Sequence, residues 1–199
     1  VLFLAGASVC LAQKYTQRGF LETSFLAYPQ TAVGDSGRAV GGAVLNFEPS
    51  YRFSPAFRIS GAIEARTDTH HEVERRFAVS WSDRERARPA IVIRKLSAAY
   101  TKGPFTLEVG KQFIRWGKAD ILNPTDRFAP RDFLSVFDTD LLAVTAVRFT
   151  AGLQSDTLDV VASRFSPSRV PLIGRRWAPT EALPAGVVVV DRGATYQDR

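Results

Sequence analysis

The stretch Ala43–Asp68 constrains the fold more than any other part of the chain, because apolar and polar residues alternate along it twice. Up to a break at Ser54-Pro55, every second residue is apolar or aromatic, and these positions are Ala43, Leu45, Phe47, Pro49, Tyr51 and Phe53. After the break, the alternation places on one face Phe57, Ile59, Gly61, Ile63 and Ala65. A period of two residues is typical of a strand with one apolar and one polar face. The two runs therefore predict an antiparallel hairpin.

Each run of this hairpin has about ten residues or more, which is the length that a tilted strand needs to cross a bilayer. A strand of a soluble sheet can show the same alternation. The hairpin therefore predicts strands, and leaves open whether they lie in water or in a membrane.

Further strands are predicted on both sides of the hairpin, which spans roughly residues 39–69. They are Thr16–Tyr28, Ala90–Thr101, Phe105–Trp116, Thr139–Ala151 and Leu158–Phe165, with an eighth beginning at Val187–Val190. The alternation slips near Arg94-Lys95, where a β-bulge would absorb one residue, and a second slip is possible at Gly110-Lys111. The pattern predicts an all-β chain.

The connections between these strands alternate between long and short. The long ones are 29–38, 70–89, 117–138 and 166–186, and the short ones are Ser54-Pro55, Lys102–Pro104 and Gly152–Thr157. Bacterial outer-membrane barrels have short periplasmic turns and longer outer loops. Aromatic residues beside the short turns, such as Tyr51, Phe57 and Phe105, occupy the positions expected for an interfacial girdle, although strand aromatics also pack in ordinary cores.

The beginning of the chain, Val1–Ala12, is apolar and has small residues at its end. It is similar to the tail of a secretory signal peptide, with cleavage after Ala12. The absence of Met predicts that the initiator is missing, so we expect residues 1–12 to be a signal-peptide remnant and residues 13–199 to be the N-terminal portion of one longer domain. A lipoprotein signal ending at Cys10 is disfavoured because Val9 is not small, and cleavage would leave a mature chain without Cys.

The net charge of +6 is spread along the chain, with acidic residues interleaved among the basic ones. A protein that binds nucleic acid more often gathers its basic residues in one stripe, so no nucleic-acid partner is expected. Because an open sheet edge in lipid leaves backbone groups unpaired, strands in a bilayer must close into a barrel. The predicted fold is an antiparallel transmembrane β-barrel of the bacterial outer membrane, of which this chain supplies about seven or eight strands of a larger total.

The densest local signal lies in Val109–Phe133, which contains Gly110-Lys111-Gln112, Trp116-Gly117 and Asn123-Pro124-Thr125-Asp126. In these motifs the chain resembles porin-like outer-membrane proteins of uncharacterised function that carry a G-[RK]-Q, W-G and N-P-x-D signature. The resemblance covers about 25 residues of this chain, from Val109 to Phe133. It implies an outer-membrane protein of porin or exporter type, and implies no particular solute.

Two groups of charged residues are candidates for lining a pore. Arg58, Glu64, Arg66 and Glu108 occupy polar faces of predicted strands, which face the lumen of a barrel, either as a selective surface or only as a hydrated wall. A second group would form a constriction if the loop after Trp116 folds into the pore, or would be a solvated outer loop if it does not. Its members are Lys118, Asp120, Asp126, Arg127, Arg131 and Asp132.

The predicted function is a porin-like channel for passive or mildly selective passage of small polar solutes, in contact with outer-membrane lipid and capable of forming a homo-oligomer. No catalytic residue, metal or cofactor is predicted, because His70-His71 lacks a third ligand at suitable spacing and no nucleotide-binding glycine loop occurs. Three alternatives stay open. They are an outer-membrane barrel enzyme of the lipid-hydrolase type, an export component for a polysaccharide or an adhesin, and a soluble secreted β-sandwich.

Overall fold

The computed structural model describes residues 14–32, 34–116, 129–134, 139–153, 155–164, 166–172 and 175–176. These residues form eight β-strands in one sheet. The strands are β1 (Tyr15–Ala27), β2 (Ala39–Arg52), β3 (Phe57–Asp68), β4 (Val79–Ser80), β5 (Ile91–Lys102), β6 (Phe105–Gln112), β7 (Val144–Leu153) and β8 (Asp156–Ser163).

The sheet is an antiparallel meander with the order β1-β2-β3-β5-β6-β7-β8. The two-residue strand β4 is the exception, because it pairs in parallel with the start of β5. Within the described residues, β1 and β8 each pair on one side only, so the sheet is open and does not close into a barrel. Among these same residues, no helix has the length and apolar character needed to span a membrane.

The predicted strands are confirmed to within a few residues for β1, β2, β3, β5 and β8. Two boundaries differ, since β6 ends at Gln112 instead of Trp116, and β7 begins at Val144 instead of Thr139. The short strand β4 lies inside the predicted loop 70–89, where two residues were too few to give a periodic signal. The predicted strand Val187–Val190 lies outside the described residues.

The alternation of long and short connections is confirmed for all strands from β1 to β8. Long segments follow β1, β3 and β6, whereas tight turns follow β2, β5 and β7. At the first tight turn, the Ser54 side chain accepts a hydrogen bond from the Phe57 amide at 3.1 Å. The long connections all lie at one end of the strands, which we call the loop end. We call the opposite end of the strands, where the tight turns lie, the turn end.

The predicted irregularity near Arg94-Lys95 is confirmed as a change of register. Ala62 pairs with Lys95 and Ile63 pairs with Ile93, so Arg94 is the extra residue of a bulge. At the second predicted slip the register continues without interruption through Gly110 and Lys111. There the backbone adapts through a positive φ of 129° at Gly110, and the next two side chains, Lys111 and Gln112, are both buried.

The polarity of the two sheet faces is reversed relative to a sheet that covers an apolar core. On one face, Leu45 is 54% exposed, Ile63 is 45% exposed and Leu107 is 42% exposed. The opposite face buries polar residues of the same strands, because Asn46 is 7% exposed and Glu64 is 5% exposed. We call these the outer face and the inner face.

Cross-strand pairs join the exposed apolar residues of the outer face into one band. The band includes the pairs Phe47–Ile63, Val109–Val147 and Leu107–Phe149. Along the seven long strands, all of which the structure describes, outward-facing positions hold exposed charged residues only beside the turns, at Lys102 and Asp156.

Candidate functional site: the charged inner face

The loop end of the inner face is covered by segments of three long connections. Isolated bridges join residues 129–134 to 139–143, where Arg131 pairs with Leu141, and to 166–172, where Asp132 pairs with Arg169. The end of the 69–90 connection meets them through Arg88, which lies 2.8 Å from Asp132. Apolar residues in and beside these segments are buried, among them Leu134 and Leu142 at 2% exposure each. The loops therefore pack on the inner face and exclude water from part of it.

Two buried aspartates bring four segments of the chain together. Asp83 contacts Arg94 of β5 at 3.2 Å and Arg169 at 2.6 Å. Asp132 contacts Arg88 at 2.8 Å and the same Arg169 at 2.5 Å. Each aspartate thus bridges two guanidinium groups, and Arg169 is shared between the aspartates. Arginine suits this place because its planar fork can donate to two carboxylates at once.

Ion pairs continue from this centre to the wall of the sheet. Arg94 also reaches Asp140 at 3.3 Å, and Asp140 accepts a hydrogen bond from Arg66 of β3 at 2.8 Å. Arg66 in turn pairs with Glu64 on the same strand. At the other side, Arg88 lies 3.5 Å from Glu72. We call the whole set the loop-end network, and it consists of Glu64, Arg66, Glu72, Asp83, Arg88, Arg94, Asp132, Asp140 and Arg169.

Backbone carbonyl groups accept hydrogen bonds from cationic side chains around the network. Arg84 donates to the carbonyl of Ala143 at 2.9 Å, and Arg169 donates to that of Glu85 at 3.0 Å. The ammonium group of Lys111 donates to the carbonyl of Trp81. A buried charge is costly unless it is paired or hydrogen-bonded, and these contacts remove much of that cost.

The backbone at Asp83 is itself unusual, with a positive φ of 54° in a residue that is 2% exposed. Its amide donates to the Ser80 hydroxyl group at 3.1 Å. Aspartate tolerates the left-handed region better than most residues, and the fixed turn aims its carboxylate at two arginines.

The pKa directions in the loops follow from these contacts. Burial alone would raise the pKa of Asp132, but the charges of Arg88 and Arg169 and the Leu134 amide outweigh it and hold the pKa below the ordinary 3.8. Glu72 behaves in the opposite way, because burial raises its pKa more than Arg88 lowers it. Burial also lowers the pKa of Arg84 despite the nearby charge of Asp83. The two arginines therefore favour the ionised form of the Asp132 carboxylate, and the ion pairs of the network connect the covering loops to the sheet.

The turn end of the inner face is more open to solvent. Arg18 pairs with Glu48 across β1 and β2, and Arg148 pairs with Asp159 across β7 and β8 at 2.9 Å. Glu108 accepts a hydrogen bond from Ser97 at 2.6 Å and lies 3.6 Å from Lys95. Such exposed or half-buried pairs are worth about 0–1 kcal/mol each.

The predicted lumen residues fall into different parts of this arrangement. Glu64 and Arg66 belong to the buried loop-end network, whereas Glu108 is half-buried and Arg58 is exposed at the turn end. The structure does not bring these four residues together in one place. They do share the inner face, since parity along β3 and β6 puts them opposite the exposed apolar band.

Of the predicted constriction residues, only Arg131 and Asp132 lie within the described part of the chain. Asp132 is 1% exposed and belongs to the network, and the Arg131 amide donates to the Ser168 side chain at 2.9 Å. Lys118, Asp120, Asp126 and Arg127 lie outside the described residues, as do Gly117 and the Asn123–Asp126 motif. The Gly110-Lys111-Gln112 motif is described, and it forms the buried end of β6.

The histidine pair is engaged in local contacts. His70 lies 2.9 Å from the Asp35 carboxylate, which joins the 28–38 and 69–90 connections, and His71 contacts Arg75 at 3.2 Å. Within the described ranges, no group of three or more His, Cys, Asp and Glu side chains could hold a metal ion.

Sequence reasoning missed most of the network, namely Glu72, Asp83, Arg88, Arg94, Asp140 and Arg169. One signal was available, because the 70–89 stretch is dense in both Arg and acidic residues. Five arginines and four acidic residues in one predicted loop suit mutual pairing as well as hydration. Nothing local to Arg169 pointed to Asp83, since 86 positions separate the two.

Comparisons with protein-family models, curated proteins and solved structures find no match for this chain.

Proposed function

We propose that this chain forms part of the wall of an outer-membrane β-barrel of porin type, which passes small polar solutes by diffusion without turnover chemistry. The observation that carries the proposal is the reversed polarity of the sheet. Residues such as Leu45 and Ile63 are half exposed on the outer face, while Asn46 and Glu64 are buried on the inner face.

This polarity suits a strand with lipid on one side and a polar lumen on the other. The strand lengths also suit it, since β2 has 14 residues and β3 has 12. Aromatic residues cluster at the turn end, where the Tyr51 and Phe53 rings lie 4.6 Å apart and the Phe105 and Phe149 rings 6.0 Å apart. An aromatic belt at the membrane interface has this placement.

In the proposed barrel, β1 and β8 pair with further strands, because an unpaired edge in lipid would leave backbone groups without partners. The loop-end network fastens the covering loops to the inner face and narrows the space there. The turn end, with exposed Arg58, remains a hydrated wall. The resemblance in the Gly110-Lys111-Gln112 region agrees with this proposal.

A pair of arginine substitutions on β1 tests the membrane assignment. Leu21→Arg places a charge on the outer face near the middle of the strand, and Ser24→Arg places one on the inner face of the same strand. In lipid vesicles we expect Leu21→Arg to lower the free energy of unfolding by about 2–4 kcal/mol, whereas Ser24→Arg changes it by about 0.5 kcal/mol or less.

Equal effects of the two substitutions, or a wild-type chain that stays monomeric in water without detergent, would contradict the membrane assignment. Conductance in planar bilayers of the complete barrel, including the further strands that pair with β1 and β8, tests transport itself. We expect ohmic channels, and a folded sample that inserts without conducting would exclude the porin role.

A further inference from the structure

A pocket of about 230 Å³ lies on the inner face across β1, β2 and β3. Its lining includes Phe20, Glu22, Asn46, Glu48, Glu64 and Phe113. It adjoins the loop-end network, which contributes to its lining Glu64, Arg66, Arg94 and Asp140. Its size fits a group of only a few non-hydrogen atoms, since the pockets of drug-sized ligands start at about 300 Å³.

Asn46 is the polar centre of this pocket. The residue is 7% exposed, and its Oδ1 atom accepts no hydrogen bond from any described residue. It pairs with Phe20 on one side and Glu64 on the other. Buried side-chain oxygens normally have a donor, so Asn46 presents an acceptor that requires one.

Three inward neighbours of Asn46 are carboxylates, beside the apolar Phe20 and Val44. Glu64 lies directly opposite on β3, Glu48 lies two residues along β2, and Glu22 lies diagonally across on β1. Glu48 pairs with Arg18 through one oxygen, and Glu64 pairs with Arg66. Within the described parts of the chain, Glu22 has neither an ion pair nor a side-chain hydrogen bond. The pocket therefore holds acceptors and a surplus of negative charge around an unsatisfied amide oxygen.

The two arginines that also line the pocket do not cancel this surplus. Arg66 is held by Glu64 and Asp140, and Arg94 is held by Asp83 and Asp140. Their donors point into the loop-end network. Within the described residues no metal-binding cluster occurs, so a divalent cation lacks a suitable ligand set.

We propose that this pocket binds the ammonium group of a small primary amine, with Asn46 and Glu22 as its principal acceptors. An ammonium group has three donors and a full charge, which match the amide oxygen and the free carboxylate. Phe20 and Phe113 lie against the short alkyl chain. The inference rests on the proposed function, in which the inner face lines the path of solutes, and it names small organic cations as the favoured class.

Titration calorimetry on the full chain folded in detergent micelles tests the site, with n-butylammonium as the probe. We expect saturable binding of n-butylammonium, and none of n-butanol or butyrate at the same concentrations. Asn46→Leu and Glu22→Gln should each weaken binding roughly tenfold, as expected for loss of a charge-assisted hydrogen bond. Asp156→Asn, which removes an exposed carboxylate beside a turn and outside this pocket, should leave binding unchanged.

Circular dichroism confirms that each variant is folded, and Glu22→Gln, at an exposed position of β1, keeps the test open if Asn46→Leu fails to fold. Equal binding of n-butanol, absence of binding, or unchanged affinity in Glu22→Gln would overturn the proposal. Conductance of the same samples separates the two proposals. Binding without conductance removes the porin role and keeps the site, whereas conductance without binding removes the site alone.

Discussion

The two ends of the inner face use the same kinds of charged residue in different environments. At the loop end, Asp83 and Asp132 are buried and each is shared by two arginines. At the turn end, Arg58 is exposed and Arg148 pairs with Asp159 in a half-buried position. The role of a charged residue on a polar strand face therefore depends on the covering loops. Where loops cover it, it forms buried ion pairs that hold the loops to the sheet, and elsewhere it remains exposed to solvent.

The physical reason is the difference in solvation between the two ends. Water and salt screen the pairs at the turn end, so breaking one exposes both charges to solvent at little cost. Loops exclude water from the loop end, and removal of one partner there leaves another charge buried without compensation. Four experiments test this contrast.

The largest effect is expected from Asp132→Ala, since Asp132 is 1% exposed and serves both Arg88 and Arg169. We expect the free energy of unfolding to fall by about 3–5 kcal/mol. The matched control at the turn end is Asp159→Ala, for which about 1 kcal/mol is expected. Urea unfolding in micelles, followed by tryptophan fluorescence, measures both. Similar losses at the two ends would refute the contrast.

A pair of glycines provides the second test. A Cβ at Gly110, near the loop end of β6, would overlap the Leu96 carbonyl oxygen, and the φ of Gly110 is 129°. Gly103, in a turn, has a φ of 57° and nothing within 4 Å of an added Cβ. We expect Gly110→Ala to cost at least about 2 kcal/mol, and Gly103→Ala about 1 kcal/mol. The same unfolding measurement applies, and a smaller loss at Gly110 would show that β5 moves aside freely.

Acid should weaken the loop end through Asp132. Its pKa in the folded chain lies below the ordinary 3.8, so its stabilising contribution is complete above about pH 4 and is lost as the pH falls through the folded value. Glu72 works in the opposite direction, because its raised pKa favours folding as it takes up a proton.

The difference in unfolding free energy between wild type and Asp132→Asn isolates the Asp132 contribution. We expect this difference to be large at pH 7 and to shrink towards pH 3. A difference that stays constant across this range would show that the ionised form of Asp132 is not what stabilises the network. Arg58→Gln is the control, and its difference from wild type should not vary with pH over the same interval.

The smallest effect on stability is expected for Arg58→Glu, because Arg58 is exposed at the turn end. The free energy of unfolding should change by about 0.5 kcal/mol or less. If the proposed channel forms, reversal of the Arg58 charge in planar bilayers should shift the reversal potential in a salt gradient towards cation preference. An unchanged reversal potential would place Arg58 outside the ion path. A large loss of stability would show that Arg58 makes a stabilising contact at the turn end, which contradicts the small effect expected for an exposed charge.

Several features were predictable from residue patterns alone. The hairpin at Ala43–Asp68, the alternating connections and the bulge at Arg94 all follow from a two-residue period and its interruption. The fate of Glu64 and Arg66 was not predictable in the same way. Their inward direction follows from parity, but their burial depends on Asp140 and Arg94, which reach them through another loop and a neighbouring strand.

The sequence by itself determined where the strands lie and which side chains share a face, because backbone geometry makes alternate residues point to opposite sides of a strand. Only the tertiary structure decided which charges meet. Pairs such as Asp83 and Arg169 are distant along the chain, and their partnership depends on how the loops fold over the sheet. A local period carries no information about contacts of that range.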